Sequence, residues 1–299
     1  MKTGLVLEGG ASRGYFTVGA LDALIDIGFK ADYLVGTSAG IANGISFVSN
    51  QRGRGLKIGL EYLNDKRYMG LRHLINPKKR SYYNVDFVFD ELPNKLVPFD
   101  SEAYDKSGCK VVAALTNLET GKSEYHTVTS EDRKWKTVVA SCALPIMFQP
   151  VKLGNQLYMD GGITDSIPFQ KAIDEECDKI VVIITRERSY EKEPEKALDI
   201  SGFLYRKYSE FKKALENRTE MYNNTHKKLL ELEKEGKVIL IAPELDTSEW
   251  KRTERCLLIL KQMKNTYCHQ SCFVDTVKHI CVGKAVQVQM VLFITITNV

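Results

Sequence analysis

The segment Gly36-Thr37-Ser38-Ala39-Gly40 constrains this chain more than any other. It joins the apolar run Tyr33-Leu34-Val35 to Ile41-Ala42-Asn43-Gly44-Ile45-Ser46-Phe47, so a buried strand has to turn into a helix within a few residues. A strand, G-x-S-x-G and a helix in that order have the form of a nucleophile elbow, a turn so tight that glycines are needed to clear the backbone around the serine. Taken alone, the same letters also describe a plain small-residue turn, and the rest of the chain has to decide between the two.

A second glycine turn lies at the N-terminus. Lys2-Thr3-Gly4-Leu5-Val6-Leu7 reads as a short buried strand ending in Glu8-Gly9-Gly10-Ala11-Ser12-Arg13-Gly14. After it Tyr15, Val18, Leu21, Leu24 and Ile25 recur with helical spacing. Backbone N–H groups at such a turn point beyond the strand end, where they can bind a phosphate or a developing oxyanion. Two neighbouring parallel strands would present both glycine turns at one carboxyl edge, facing a single crevice. A dinucleotide-binding fingerprint is the rival reading of the first turn. It fails on detail: the G-x-G-x-x-G pattern from Gly9 has Ala11 at its second glycine, and the strand near Val35 runs into a serine turn instead of an acid.

The third segment is Tyr158-Met159-Asp160-Gly161-Gly162-Ile163. A carboxylate followed by two glycines is most often a turn in which the side chain accepts from the N–H two residues on. Beside a candidate nucleophile it is also a candidate base. Apolar neighbours at Met159, Ile163 and Ile167 would raise the Asp160 pKa from its exposed value of about 3.9.

Glycine-rich turn, serine elbow and Asp-Gly-Gly, in that order, resemble the motifs of bacterial patatin-like phospholipases, a family of lipid acyl hydrolases. The resemblance extends to Asp32-Tyr33, Gln51-Arg52-Gly53-Arg54, Tyr83-Asn84-Val85-Asp86-Phe87, Thr116 to Gly121 and Ala140-Ser141-Cys142-Ala143-Leu144-Pro145, and so runs from Met1 to about Ile241. It implies a three-layer α/β fold with a mainly parallel central sheet and helices on both faces. It also implies a Ser-Asp dyad, with Ser38 as nucleophile and Asp160 as base. Gly9, Gly10, Ala11, Ser12, Arg13 and Gly14 would form the oxyanion loop, Gly36, Thr37, Ala39 and Gly40 the elbow, and Gly161 and Gly162 the base motif. The implied reaction is hydrolysis of carboxylic esters of lipids, of phospholipase, lysophospholipase or esterase type, with no metal and no organic cofactor. An acyltransferase using the same serine and a catalytically silent lipid-binding module are the alternatives. Ala11 departs from many members, which have a third glycine there; its methyl leaves the N–H in place but narrows the room for a head group. Arg13 has two candidate roles, tying the loop to the sheet or meeting a lipid phosphate, with the first preferred.

The histidines agree with a dyad. His73, His126, His226, His269 and His279 lie outside every glycine-framed or strand-end motif. In the chain order Ser, acid, His of an α/β-hydrolase, His226 is a formal candidate, but its surroundings, Asn223-Asn224-Thr225-His226-Lys227-Lys228, point to solvent.

At 299 residues and 43% hydrophobic content the chain can bury one large core. We expect an acyl hydrolase domain over residues 1–255 and an atypical Cys-rich tail over 256–299. A net charge of +4, with no zinc-finger spacing or RNA-binding aromatic signature, gives no support to a nucleic-acid partner. The N-terminus lacks a signal h-region and no run reaches the length of a membrane span, so a cytoplasmic protein is expected. Seven scattered cysteines indicate free thiols. Cys268, Cys272, His279 and Cys281 match no standard zinc spacing.

Between Gln51 and Arg80 nine basic residues face two acids. The plain reading is a solvated surface; the functional one is peripheral contact with an anionic membrane, with Tyr68, Tyr82 and Tyr83 as interfacial anchors. Further strands are expected at Lys110 to Thr116, Lys179 to Ile184 and Val238 to Ile241. A charged helical region is expected over Phe203 to Glu235, broken near Asn223-Asn224, and a mobile loop over Ser189 to Pro194. Val286 to Ile294 reads as a strand or an aggregation-prone end.

Overall fold

The computed structural model describes residues 1–75, 80–194 and 204–244. The expectations for Lys78, Lys79, Phe203 and the tail 256–299, with its cysteines, His269, His279 and the run after Val286, lie outside the described residues.

The strands are β1 (Thr3–Leu7), β2 (Tyr33–Thr37), β3 (Lys110–Asn117), β4 (Ser123–Thr127), β5 (Val151–Leu153), β6 (Gln156–Asp160), β7 (Lys179–Ile183) and β8 (Ile239–Ile241). They form one sheet in the order β5-β6-β3-β2-β1-β7-β8, with β4 also paired to β3. The central run from β3 to β8 is parallel, while β4 and β6 pair antiparallel with β3. The helices are α1 (Gly14–Asp26), α2 (Ala39–Val48), α3 (Arg54–Tyr62), α4 (Ser101–Lys106), α5 (Lys136–Ser141), α6 (Phe169–Asp174) and α7 (Ser209–Lys234).

Side chains alternate across a strand, so each buried strand feeds two layers. Leu5 and Leu7 of β1 join a core with Phe16, Leu21 and Leu24 of α1, Ile41 and Ile45 of α2 and Val138 of α5. Val6, between them, joins the opposite core with Phe169 and Ala172 of α6 and Tyr222 and Leu229 of α7. This is the expected three-layer α/β arrangement, and near-continuous apolar strands are its sequence mark because both faces are covered.

Three local expectations need correction. α7 runs unbroken through Asn223 and Asn224. The Asn223 side chain instead grips an earlier segment of the chain, accepting from Lys192 N–H at 2.8 Å and donating to its carbonyl at 3.0 Å. The stretch from Ser189 to Pro194 is thereby tied to α7. The third correction concerns the basic run. Arg54 is buried, donating to Ser46 Oγ and the Val97 carbonyl and lying over Phe99. Arg52 pairs with Asp26, and Arg67 with Asp65 and Glu91. Tyr68, Tyr82 and Tyr83 are half-buried, pack edge-on as the pairs Tyr68–Tyr83 and Tyr82–Tyr83, and line a cavity.

Candidate active site

Ser38 closes β2 with φ 52° and ψ −123°, and α2 begins at the next residue. A side-chain-bearing residue at such a positive φ costs about 1–3 kcal/mol and persists only where its surroundings fix it. Here they do. Ser38 N–H donates to Ser141 Oγ at 2.9 Å, and that hydroxyl donates to the Ala114 carbonyl at 2.8 Å. The Ser38 carbonyl accepts from Ala42, and Thr37 Oγ1 donates to the Asp165 carbonyl. Gly40 is required by proximity: a Cβ there would lie 2.6 Å from the Leu7 carbonyl oxygen. At the other glycine of the elbow, a Cβ on Gly36 would press on the Ile41 backbone, and Ala39 packs where α2 meets Gly14 of α1.

Asp160 ends β6, the strand beside β3, and is 1% exposed. Ser38 Oγ donates to its Oδ2 at 2.7 Å, and Gly162 N–H donates to Oδ1 at 2.7 Å. The second bond is the local Asp-to-glycine turn read from sequence. A Cβ on Gly161 would sit 2.1 Å from the Ala114 carbonyl, so the turn packs backbone to backbone against β3. Desolvation pushes the Asp160 pKa up to about 6, against the lowering effects of the bonds from Ser38 and Gly162 and the charge of Arg218.

The first glycine turn stands beside this pair because β1 and β2 are adjacent and parallel. Gly9 N–H donates to the Ser166 carbonyl, Arg13 N–H to the Gly10 carbonyl, and Gly14 N–H to the carbonyls of Ala11 and Ser12. Ala11 holds φ 47°, a left-handed backbone that glycine adopts at lower cost. The N-termini of α1 and α2 both open here, adding partial positive charge to the crevice.

Behind the loop lies a buried network absent from the sequence reading. Glu8, 1% exposed, accepts from Thr185 N–H and Thr185 Oγ1 at Oε2 and from Tyr222 Oη at Oε1. It joins the loop to the end of β7 and to α7. Burial raises its pKa. Arg13 faces both Glu8 and Arg186, and burial followed by repulsion from Arg186 lowers its pKa. Its Nε is buried without a partner among the described residues.

Two cavities meet at Ser38. One, of about 360 Å³, is lined by Tyr15, Ile58, Tyr83, Phe89, Trp135, Phe148 and other mainly apolar side chains. The other, of about 550 Å³, is polar, with Glu8, Arg13, Asp160, Arg186, Arg218 and Tyr222 on its walls. Ser38, Ala11 and Leu144 border both.

His226 is not in solvent as its neighbours suggested. It is buried, stacked on Tyr222 at 6.0 Å between ring centroids, and lines neither cavity. Burial lowers its pKa. The signal was present as a stripe: Phe211, Leu215, Tyr222, His226 and Leu229 recur with helical spacing and are the buried face of α7. His126 sits on β4, 3.2 Å from Glu124 Oε2.

Serine elbow, glycine loop and buried carboxylate thus meet at one edge of a mainly parallel sheet in a three-layer α/β fold. The family model described as patatin-like phospholipase matches residues 5–173, and the chain belongs to that family. A second model, described as a domain of unknown function (DUF6363), matches residues 208–255. Among curated proteins the chain is 28% identical to "Uncharacterized protein YjjU" of Escherichia coli K12, over 62% of this chain and 52% of that one. It is 27% identical to "Probable lipid hydrolase 463L" of Invertebrate iridescent virus 6, covering 56% and 62%, and 27% identical to "Lysophospholipase nte1" of Aspergillus niger, covering 56% and 11%. The matched parts thus span less than two thirds of each of these relatives. Among solved structures it is similar to VipD from Legionella pneumophila, with a TM-score of 0.41, 13% identity, and 89% and 66% of the two chains covered.

Proposed function

We propose that this protein hydrolyses carboxylic esters of lipids through a Ser38-Asp160 dyad. The observation that carries the reading is the 2.7 Å bond from Ser38 Oγ to Asp160 Oδ2 at the junction of an apolar and a polar cavity. Membership of the patatin-like phospholipase family and relatives named as lipid hydrolase and lysophospholipase support it.

In this mechanism the acyl chain enters the apolar cavity and the leaving alcohol, with any head group, the polar one. Ser38 Oγ attacks the ester carbonyl carbon while its proton passes to Asp160. The carbonyl oxygen becomes an oxyanion that the glycine loop stabilises. Gly9, Arg13 and Gly14 spend their N–H groups within the fold, and we assign the oxyanion to the N–H groups of Gly10 and Ala11. Collapse breaks the bond to the leaving oxygen, which takes the proton from Asp160 and departs as the alcohol. Water then gives a proton to Asp160 and attacks the acyl-serine; the second collapse releases the fatty acid and returns the proton to Ser38. A carboxylate with a pKa of about 6 suits both directions of transfer near neutral pH.

Peripheral membrane contact is part of the proposal. Leu71 and Ile75 are 73% and 81% exposed, in the segment that follows Tyr68 and Met69 of the apolar cavity in the chain. Such exposed apolar side chains near a cavity wall suit a lipid surface.

The test is hydrolysis of a panel of lysophospholipids, diacyl phospholipids and short-chain esters by the intact chain and by Ser38→Ala. Free fatty acid released by the parent and abolished in the variant supports the proposal. Acyl transfer to added alcohols with no release to water would replace it with an acyltransferase, and no turnover with no serine labelling would replace it with a lipid-binding module.

A further inference from the structure

The base turn is held from outside the segment that the patatin-like model matches. Arg218 lies on α7, within residues 208–255, and lines the polar cavity. Its Nε donates to the Gly162 carbonyl at 2.7 Å. The N–H of that same Gly162 donates to Asp160 Oδ1. One helical turn later Tyr222 holds Glu8 beneath the glycine loop, so one face of α7 grips both the base turn and the oxyanion turn.

Resting on the Ser38-Asp160 reading, we infer that Arg218 is a positioning residue for Asp160: it fixes the Gly162 peptide that aims the carboxylate at Ser38 and sets a positive charge beside that turn. The charge is the part no neighbour replaces. Ser166 Oγ also donates to the Gly162 carbonyl, at 2.9 Å, and can hold the peptide in place, but it carries no charge. Around Asp160 stand Ser38 from the elbow, the Cys142 thiol from the end of α5 and Arg218 from α7. Glu8, Arg13, Arg186, Glu187, Glu191, Lys192 and Glu193 are the other charged side chains on the walls of the same cavity. Burial holds the Cys142 thiol protonated, since desolvation raises its pKa. Of these charges it is the Arg218 guanidinium that lowers the Asp160 pKa.

The experiment compares the full chain with Arg218→Met and Arg218→Lys in three readouts: the pH profile of hydrolysis of a soluble p-nitrophenyl ester, the split between kcat and KM, and melting temperature. In Arg218→Met we expect the acid limb to move up by about one unit. We also expect kcat to fall by about 10- to 100-fold with KM within about twofold of the parent. Arg218→Lys keeps the charge and should return the acid limb to the parental position. A lowered melting temperature with acid limb and kcat unmoved would overturn the inference and leave Arg218 as a structural tie. Should Arg218→Met fail to fold, the neutral Arg218→Gln takes its place: an acid limb moved up with a reduced kcat supports the inference, and a parental acid limb and kcat overturn it. The Asp160 carboxyl carbon, titrated by NMR in aspartate-labelled protein and assigned through Asp160→Asn, separates this inference from the dyad. Parental turnover by Asp160→Asn sinks the dyad, whereas an Asp160 resonance titrating at the same pH in parent and Arg218→Met sinks the role of Arg218.

Discussion

Ser38 Oγ reaches Asp160 Oδ2 at 2.7 Å across 122 residues of chain, and no histidine stands between them. The contact exists because β2 and β6 flank β3, so the elbow at the end of one strand and the carboxylate at the end of the other close on the same edge of the sheet.

Removing either member should abolish ester hydrolysis. Ser38→Ala and Asp160→Asn are each expected to lower kcat by about 10³-fold or more, by analogy with loss of one member of a concerted catalytic set. His226→Ala should keep kcat within a few-fold of the parent while lowering stability, because a buried ring is lost. Kinetics of the three variants on one soluble ester, with melting curves alongside, check this; a dead, folded His226→Ala would put a triad in place of the dyad.

Asp160→Asn should also stabilise the fold. The folded pKa of about 6 lies above the unfolded value of about 3.9, so folding holds an extra proton between those pH values. Below about pH 4 both states are protonated and the burial costs nothing on this account; above pH 6 the cost is complete, on the order of 3 kcal/mol. Denaturant unfolding should therefore find Asp160→Asn more stable than the parent at pH 8, with the difference fading by pH 4. For the same reason parental activity should fall as pH drops through about 6. A variant less stable than the parent at pH 8 would contradict the buried-base account.

Ala11→Gly should raise the melting temperature. At φ 47° an alanine bears about 1 kcal/mol of steric cost that glycine avoids. For a chain of this size the gain corresponds to about 2–4 °C. Thermal unfolding by circular dichroism measures it, and a decrease would show that the Ala11 methyl makes a contact worth more than the strain.

Leu71→Asp combined with Ile75→Asp should weaken binding to anionic phosphatidylglycerol vesicles and spare turnover of a soluble ester. Both side chains are exposed and neither lines the cavities at Ser38. Co-sedimentation of parent and double variant decides it; equal binding would remove these residues from the membrane proposal.

The serine elbow and the Asp-Gly-Gly turn were legible because each is dictated by its own backbone. Gly40 and Gly161 stand where a Cβ would strike the Leu7 and Ala114 carbonyls, and such steric demands write themselves into short motifs. What sequence hid was contact across distance. Tyr222 meets Glu8 from 214 residues away, and Arg218 meets Gly162 from 56. Neither forms part of a local pattern. His226 misled because its sequence neighbours Asn224, Lys227 and Lys228 are exposed while its partners at helical spacing, Tyr222 and Leu229, face the sheet. Arg54 misled in the opposite sense: a charge in a basic run reads as solvated, yet this one is buried against Ser46, Val97 and Phe99.

Covalent trapping tests the central claim most directly. The full chain, incubated with a long-chain alkyl fluorophosphonate and digested for mass spectrometry, should carry one adduct per molecule on Ser38, formed far more slowly in Asp160→Asn and absent from Ser38→Ala. An adduct on another residue, or a Ser38 that stays unmodified in folded protein, would contradict it.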